Sequence, residues 1–321
     1  FPGGDNIGPR PIDQHIKGFK ALGAHVEEKE NTVHITTGPE GLHGARIFFD
    51  LVSVGATINV LLAAVKAKGL TIMENVAREP EIVDLATFLN NMGAHIRGAG
   101  TNEIRVQGVD SLKSMNVHTI IPDRIEAGTY LSFAAANGNG VLVKNVITEH
   151  LDPFLSKLEE MGVRMEIDED EIYVPGGDVL SPVNIKTSPF PGFATDLQQP
   201  ITPLLMQARG SSTIIDTLYP ERTKHIPEMQ RMGAKISSKD GIITVGHSTD
   251  LSGTVVEAGE IRAGVSLVGL ALMAKGTTVI NKADNILRGY DRIVEKFRGL
   301  SVDLEVMKAR VSIIRRKRGM I

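Results

Sequence analysis

Arginines stand at matching points along this chain. Thirteen residues before Gly23 and before Ser301 are Arg10 and Arg288, and Arg222 lies two residues inside the corresponding slot before Gly233. A second set of equivalent slots, fourteen residues before Gly69, Gly140, Gly210 and Gly276, holds Gly55, Glu126, Asp196 and Arg262. Guanidinium groups gathered from several such places would bind a small polyanion, because each planar fork matches a pair of phosphate or carboxylate oxygens. An acid beside a substrate hydroxyl would serve as general base, an effect typically worth about 10² to 10⁴ in rate. Taken one at a time the same residues have plainer explanations, with Arg262 and Arg288 pairing with neighbours such as Glu260 and Asp291, and Asp196 capping a helix. The approach to Asp196, TSPFPGFATDLQQP, carries Pro189, Pro191, Gly192 and two aromatics, more rigidity than a cap requires. The opening FPGGDNIGPRP sets three glycines and three prolines around Asp5 and Arg10. It reads as a surface turn or as a lid whose glycines let it close over an anion that Arg10 contacts.

Equivalent slots imply repeated elements. The segments ALGAHV, NMGAHI, EMGVRM and RMGAKI put glycine at positions 23, 93, 162 and 233, and a degenerate fifth copy, GLSVDL, puts Ser301 there; the intervals are 70, 69, 71 and 68 residues. Each is preceded by a helical pattern, as in EPEIVDLATFLNNMG, where Ile82, Leu85, Phe88, Leu89 and Met92 share one face. The glycine then ends the helix in a left-handed conformation. Each is followed by two short strands around a polar turn, as in VEEKENTVHI, MEIDEDEIYV and ISSKDGIITV. The other half of the repeat predicts strand, helix, strand, and its helices are apolar nearly all round, so they should be buried beneath outer sheets. Their N-termini offer free N–H groups and a positive dipole end, which favour anions. The expected architecture is α/β (α+β), with several repeats packed around the buried helices. Four repeats and a remnant are visible, and the chain opens partway through one at Asp13–Gly23, so about one and a half units are expected ahead of Phe1 if six are needed.

Composition narrows the chemistry. Hydrophobic residues make up 42% and charged residues 23%, enough for a large core, and 321 residues suggest two lobes. A net charge of -3 provides no global positive field for nucleic acid. The basic run Arg315, Arg316, Lys317 and Arg318 reads as a solvated tail. With no cysteine there is no disulfide, thiolate metal site or thiol nucleophile. No apolar run is long enough to span a membrane and no signal peptide is recognisable, which makes the cytoplasm the default location. Walker, GxGxxG, HExxH and serine-elbow motifs do not occur. The nine histidines lack metal spacing, so His15 and His225 are expected to be structural or hydrogen-bonding groups rather than ligands.

PGGDNIGPRPIDQHI, SVGATINV, AREPEIVD, PDRIEAGT, FATDLQ, EIRAG and LRGYDRI occur in that order along essentially the whole chain. In this series the sequence resembles the UDP-N-acetylglucosamine enolpyruvyl transferases. The resemblance implies a two-lobed, inside-out α/β barrel of three repeats per lobe with the active site in the cleft. Residues 1–120 would form the first, incomplete lobe, with a mobile loop at 1–11, and 121–321 the second. It also implies transfer of the enolpyruvyl group of phosphoenolpyruvate to the 3-hydroxyl of UDP-N-acetylglucosamine, with no cofactor or metal, in a monomer or weak oligomer. Asp196 matches the acid at the sugar hydroxyl. Arg10, Arg222, Arg262 and Arg288 match the arginines that hold phosphoenolpyruvate. Pro11, Asp13, Gln14, His15, Ser53, Val54 and Gly55 match the wall for the uridine diphosphate, and Leu218 lies beside the sugar.

The chain departs from the family pattern in three places. Asp5 stands where most members have the loop cysteine; a carboxyl group can still deliver a proton, but fosfomycin would find no thiol to alkylate. Leu51 replaces a lysine found near the nucleotide in some members. The family's amino-terminal lysine, asparagine and a further arginine lie upstream of Phe1, so activity is expected to need that segment in the same molecule or in trans. Two other readings remain at this level: a sister enolpyruvyl transferase acting on another hydroxyl acceptor, and a non-catalytic paralogue. A uridine-nucleotide pull-down tests the first, and a phosphate-release assay compared with Asp196→Asn tests the second.

Overall fold

The computed structural model describes residues 4–5, 7–30, 32–114, 117–307 and 312–316. Lys317 and Arg318 of the basic run lie outside the described residues, as do residues 1–3 and 6 of the glycine-rich opening. The chain falls into two compact units. One holds Pro9–Ile121 with Pro189–Pro191, the other Gly4–Gly8, Pro122–Ser188 and the chain from Gly192 onward. Each has its own apolar core.

The first unit contains helices α1 (Asp13–Ala21), α2 (Val54–Ala64) and α3 (Pro80–Asn91). The second contains α4 (Arg124–Asn137), α5 (Asp152–Met161), α6 (Thr195–Leu205), α7 (His225–Arg231), α8 (Ile261–Met273), α9 (Asp284–Leu287) and α10 (Ile293–Gly299). The sequence period accounts for the two kinds of helix. In α3, proline at the first turn starts the helix without losing a bond, Ile82, Ala86 and Leu89 turn inward, and Gly93 follows at φ 99. The same left-handed stop recurs at Gly23, Gly162 and Gly233, and Ser301 adopts it at φ 60 without the freedom of glycine. The apolar helices α4, α6 and α8 are buried along most of their length and pack against one another. Glycine permits the close approach: a Cβ on Gly128 would meet the Leu197 side chain at 2.7 Å, and one on Gly269 would meet the Phe133 ring at 2.2 Å.

The sheets repeat with the helices. Three four-stranded sheets share one plan. The strand before the buried helix pairs in parallel with the strand after it, and the predicted hairpin adds two antiparallel strands beyond. In the first unit the parallel pair is Arg46–Phe48 with Leu70–Glu74; in the second it is Asn184–Lys186 with Ser211–Ile215 and Val255–Glu257 with Thr277–Asn281. The sheet beside α4 has three strands among the described residues, and the one after α1 is the hairpin His25–Lys29 with Thr32–Thr36 alone. In the four-stranded sheets each buried helix runs between the two parallel strands, so its N-terminus lies just beyond the C-terminal end of the first of them. The candidate residues sit at those helix starts.

Candidate active site

In the second unit Asp196 is the second residue of α6. Its N-cap, Ala194, makes no side-chain bond, and Asp196 does not cap the helix either. Its carboxylate is instead clasped by two arginines, one from the loop before α7 in its own repeat and one from the start of α8 in the next. Arg222 Nη1 donates to Oδ1 at 2.7 Å, and Arg262 donates to Oδ2 through Nη2 at 3.1 Å and Nε at 3.2 Å. The neighbour-pairing explanation therefore fails for the Arg262 side chain; only its backbone N–H reaches Glu260, which caps α8. Glu260 serves Arg222, accepting from Nε at 3.2 Å and Nη2 at 3.1 Å. Arg222 and Glu260 are 3% and 1% exposed, so each would be an uncompensated charge without the other.

Two cations and two anions make the cluster neutral, yet its members differ in access. The Asp196 side chain is 37% open to solvent, and the buried Nη1 of Arg262 has no hydrogen-bond partner. The Arg262 guanidinium also lies 5.3 Å from the centre of the Tyr290 ring, whose hydroxyl is 3.0 Å from Thr129 Oγ1. Burial alone would raise the pKa of Asp196, but the adjacent Arg262 and Arg222 charges outweigh it and hold the carboxyl below its usual range. Burial opposes the charge on each guanidinium; nearby Tyr290 and Asp196 for Arg262, and Asp196 and Glu260 for Arg222, overcome that cost.

Asp5 adjoins this cluster at the start of α8. Its carboxylate pairs with Arg288 and accepts from the backbone N–H of Ile261 at 3.4 Å. Arg288 thus takes Asp5 and, at 3.5 Å, Asn285 as partners, not the Asp291 offered by the sequence. Leu218 is fixed by a turn on the other side. Buried Asp216 accepts from the N–H groups of Leu218 and Tyr219 and from the hydroxyls of Thr187 and Thr195. Thr195 in turn accepts from Arg222 at 3.3 Å, which ties the Leu218 turn to the start of α6.

The remaining candidates lie in the first unit. Gln14 is buried and locks α1 to the strand end at Asp50, donating to its carboxylate and accepting from its N–H at 2.9 Å. Ser53 caps α2 through the N–H of Ala56. Gly55 leaves room for the His15 ring, since a Cβ there would stand 3.0 Å from Nε2. Burial lowers the basicity of His15, with Asp13 acting in the opposite direction. Val54 is half-buried, and Pro11 and Asp13 are exposed. Arg10 is exposed and pairs with no described residue.

The structure therefore joins Asp196, Arg222 and Arg262 directly, places Asp5 and Arg288 beside them, and gathers Gln14, His15, Ser53 and Gly55 around two helix starts. Glu260 was visible in the sequence only as a possible neighbour of Arg262. Asp216, Thr195 and Tyr290 gave no spacing signal, because their roles depend on contacts between residues far apart in sequence. Among the described residues no group of three His, Cys, Asp or Glu is placed to hold a metal, and no helix is long and apolar enough to cross a membrane.

Residues 1–297 match the family model of EPSP synthase (3-phosphoshikimate 1-carboxyvinyltransferase). The chain is 64% identical to a protein of Lactiplantibacillus plantarum named UDP-N-acetylglucosamine 1-carboxyvinyltransferase 2, over 95% of this chain and 72% of that one. A protein of Latilactobacillus sakei with the same name is 60% identical over 96% of this chain and 73% of its own length. Among solved structures, the enolpyruvyl transferase NikO from Streptomyces tendae superposes with a TM-score of 0.85 at 23% identity, covering 96% of this chain and 73% of that one.

Proposed function

Because the chain belongs to the EPSP synthase family, and within it to the UDP-N-acetylglucosamine 1-carboxyvinyltransferases, we propose that it transfers the enolpyruvyl group of phosphoenolpyruvate to UDP-N-acetylglucosamine. The acceptor is the sugar 3-hydroxyl, phosphate is released, and the product commits the nucleotide sugar to peptidoglycan synthesis. A cytoplasmic location and a monomeric or weakly associating state belong to the same proposal.

One observation carries the reading: a solvent-reachable carboxylate held by two guanidinium groups, one from its own repeat and one from the next, the latter keeping a buried N–H donor unspent. An acid whose charge is stabilised this strongly is a weak base while both arginines hold it. An incoming polyanion competes for those donors. As phosphate and carboxylate oxygens of phosphoenolpyruvate draw on Arg222, Arg262 and Arg288, with Arg10 as the further cation, Asp196 regains basicity at the moment the substrate is present. It then takes the proton of the sugar hydroxyl as the oxygen bonds to C2 of phosphoenolpyruvate and C3 gains a proton. In the tetrahedral adduct the C2–O bond to phosphate breaks and one C3 proton leaves, restoring the double bond. Asp5 is the candidate acid at C3. An ion-paired carboxylate has no proton to give, so Asp5 must first yield Arg288 to the anionic substrate and then take up a proton from water before passing it to C3. Pro11, Asp13, Gln14, His15, Ser53, Val54 and Gly55 receive the uridine diphosphate, with free N–H groups of α2 toward the anion, and Leu218 contacts the sugar.

Phosphate release from phosphoenolpyruvate, measured with and without UDP-N-acetylglucosamine and with the family's amino-terminal segment supplied in trans, tests the proposal. Release that depends on the nucleotide sugar and is lost in Asp196→Asn is expected; release indifferent to that sugar would overturn it. Intact mass should stay unchanged after exposure to fosfomycin.

A further inference from the structure

A second link joins the two segments that carry Asp196 and Arg222, and the chemistry above does not use it. Gln199 lies one turn beyond Asp196 on α6, and His225 three residues beyond Arg222 at the start of α7. They are 0% and 1% exposed, and Gln199 Nε2 stands 3.1 Å from His225 Nδ1. Asp196 and Gln199, three apart on α6, share a face. The ion pair Asp196–Arg222 and the bond Gln199–His225 therefore join α6 to the loop before α7 and to the first residue of α7, the first at the solvent-reachable cluster.

Stability does not account for this second rung. His225 Nε2 and Gln199 Oε1 are buried without partners, and a buried polar atom left unmade costs roughly 1–3 kcal/mol. A pair of apolar side chains would avoid that cost. The imidazole is neutral, its pKa pushed down to about 3 by burial and then by the Arg222 charge. It is a fixed dipole across the physiological range, with Nδ1 accepting from the amide. Rigidity is also needed here more than elsewhere. Pro200 and Pro203 lie inside α6 and lack the N–H groups that would bond the carbonyls of Asp196 and Gln199, so the turn bearing the acid has fewer ladder bonds than its siblings in α4 and α8.

We propose that the Gln199–His225 bond sets the position of Arg222 against Asp196, making Gln199 and His225 positioning residues for enolpyruvyl transfer. This rests on Asp196 as the base. Without the rung, Arg222 keeps its two bonds to Glu260 but its Nη1 loses register with Asp196 Oδ1. The charged and titratable groups around that carboxylate are Arg222, Arg262 on α8, Tyr290 against Arg262, Glu260 behind Arg222, and Asp216 through Thr195; α6 adds none of its own. Of these, only Arg222 moves, so Asp196 is left with one cation instead of two.

The test is the double variant Gln199→Leu with His225→Leu, compared with the unaltered chain and with His225→Gln, which can restore an amide bond to Gln199. Three quantities are read: the urea midpoint, the pH profile of kcat/KM for phosphoenolpyruvate, and the titration of the Asp196 carboxyl by 13C NMR. The double variant should keep or raise the midpoint while kcat/KM falls about ten- to a hundredfold. Its Asp196 titration and the acid limb of its profile should both move upward by roughly one pH unit, and His225→Gln should return them toward the unaltered values. An unmoved Asp196 titration in the folded double variant overturns the proposal. If that variant does not fold, Gln199→Met alone carries the same titration with the same decisive outcome. Should no phosphate be released even with the family's amino-terminal segment supplied in trans, the functional reading fails, while the titration still decides whether the rung positions Arg222.

Discussion

The starts of α2 and α6 occupy the same place in their repeats and present opposite chemistry. At α2 the second residue is Gly55, exposed, beside a capped and uncharged turn in which Ser53 satisfies one N–H and the neutral face of His15 fills the space a Cβ would take. At α6 the second residue is Asp196, the cap makes no side-chain bond, and the carboxylate is pinned by two guanidinium groups. Both helix ends attract anions. The first leaves that attraction for a ligand; the second satisfies it with a residue of its own. One repeated backbone thus provides a receiving site or a reacting site according to the side chain at one slot and the partners it draws.

Replacing the acid should separate the two ends most sharply. Asp196→Asn keeps the shape and removes the base, and nucleotide-dependent phosphate release is expected to fall by about 10² to 10⁴. Binding of the nucleotide sugar, measured by calorimetry, should change little, because the groups assigned to uridine diphosphate belong to the other helix start. A comparable loss of nucleotide affinity would erase the distinction.

Next in size is Arg222→Met. It leaves Glu260, almost wholly buried, without its partner, and breaking such a pair typically costs about 3–5 kcal/mol; the urea midpoint reads it. Ser53 and Gly55 have no counterpart to this cost. The same asymmetry appears with pH. The folded carboxyl of Asp196 titrates below its ordinary value of 3.8, so its contribution to stability is present above that value and is lost as pH falls through the lower, folded one. Arg262→Met removes one of the two cations, so acid unfolding followed by circular dichroism should begin at a higher pH.

Gly55→Ala sharpens the comparison from the other side. The new methyl would stand 3.0 Å from His15 Nε2, so the ring must shift by a few tenths of an ångström. A several-fold rise in KM for UDP-N-acetylglucosamine at nearly constant kcat is expected, since the change touches ground-state binding of the acceptor and not the base. A fall in kcat with KM unchanged would move Gly55 out of the receiving wall.

How far the sequence reveals this depends on the range of the interaction. The helix stops, the hairpins and the burial of the apolar helices follow from local pattern, and the structure has them where the repeat places them: Gly93 closes α3, and Ile236–Lys239 pairs with Ile242–Gly246 around the turn read in ISSKDGIITV. The slot alignment also brought out Asp196 and Arg262, because both face the same way from successive helices. What it could not supply is which charges meet. Glu260, two residues from Arg262, is only one of the partners the sequence offers it, and its side chain turns instead to Arg222, 38 residues back. Asp216 and Gln199 act through partners 21 to 29 residues away, and a linear pattern carries no signal for them.

The smallest effect tests the repeat itself. Gly23, Gly93, Gly162 and Gly233 have φ between 89 and 99, and Ser301 holds the same place at φ 60. A serine there keeps its Cβ close to the following carbonyl, a conformation that costs an L-residue roughly 1–2 kcal/mol. Ser301→Gly relieves this but gives the unfolded chain more freedom, which offsets part of the gain. A net stabilisation of about 0.5–1 kcal/mol is expected, seen as a higher urea midpoint at unchanged m. The converse change, Gly162→Ser, should destabilise by a similar amount, because the αL residue follows α5 directly and is under the same steric rule. Equal and opposite shifts would mean that the fifth copy obeys the geometry of the other four despite its altered sequence. No shift at 301 would mean that the remnant has its own local structure and that its serine is held there by something other than the repeat.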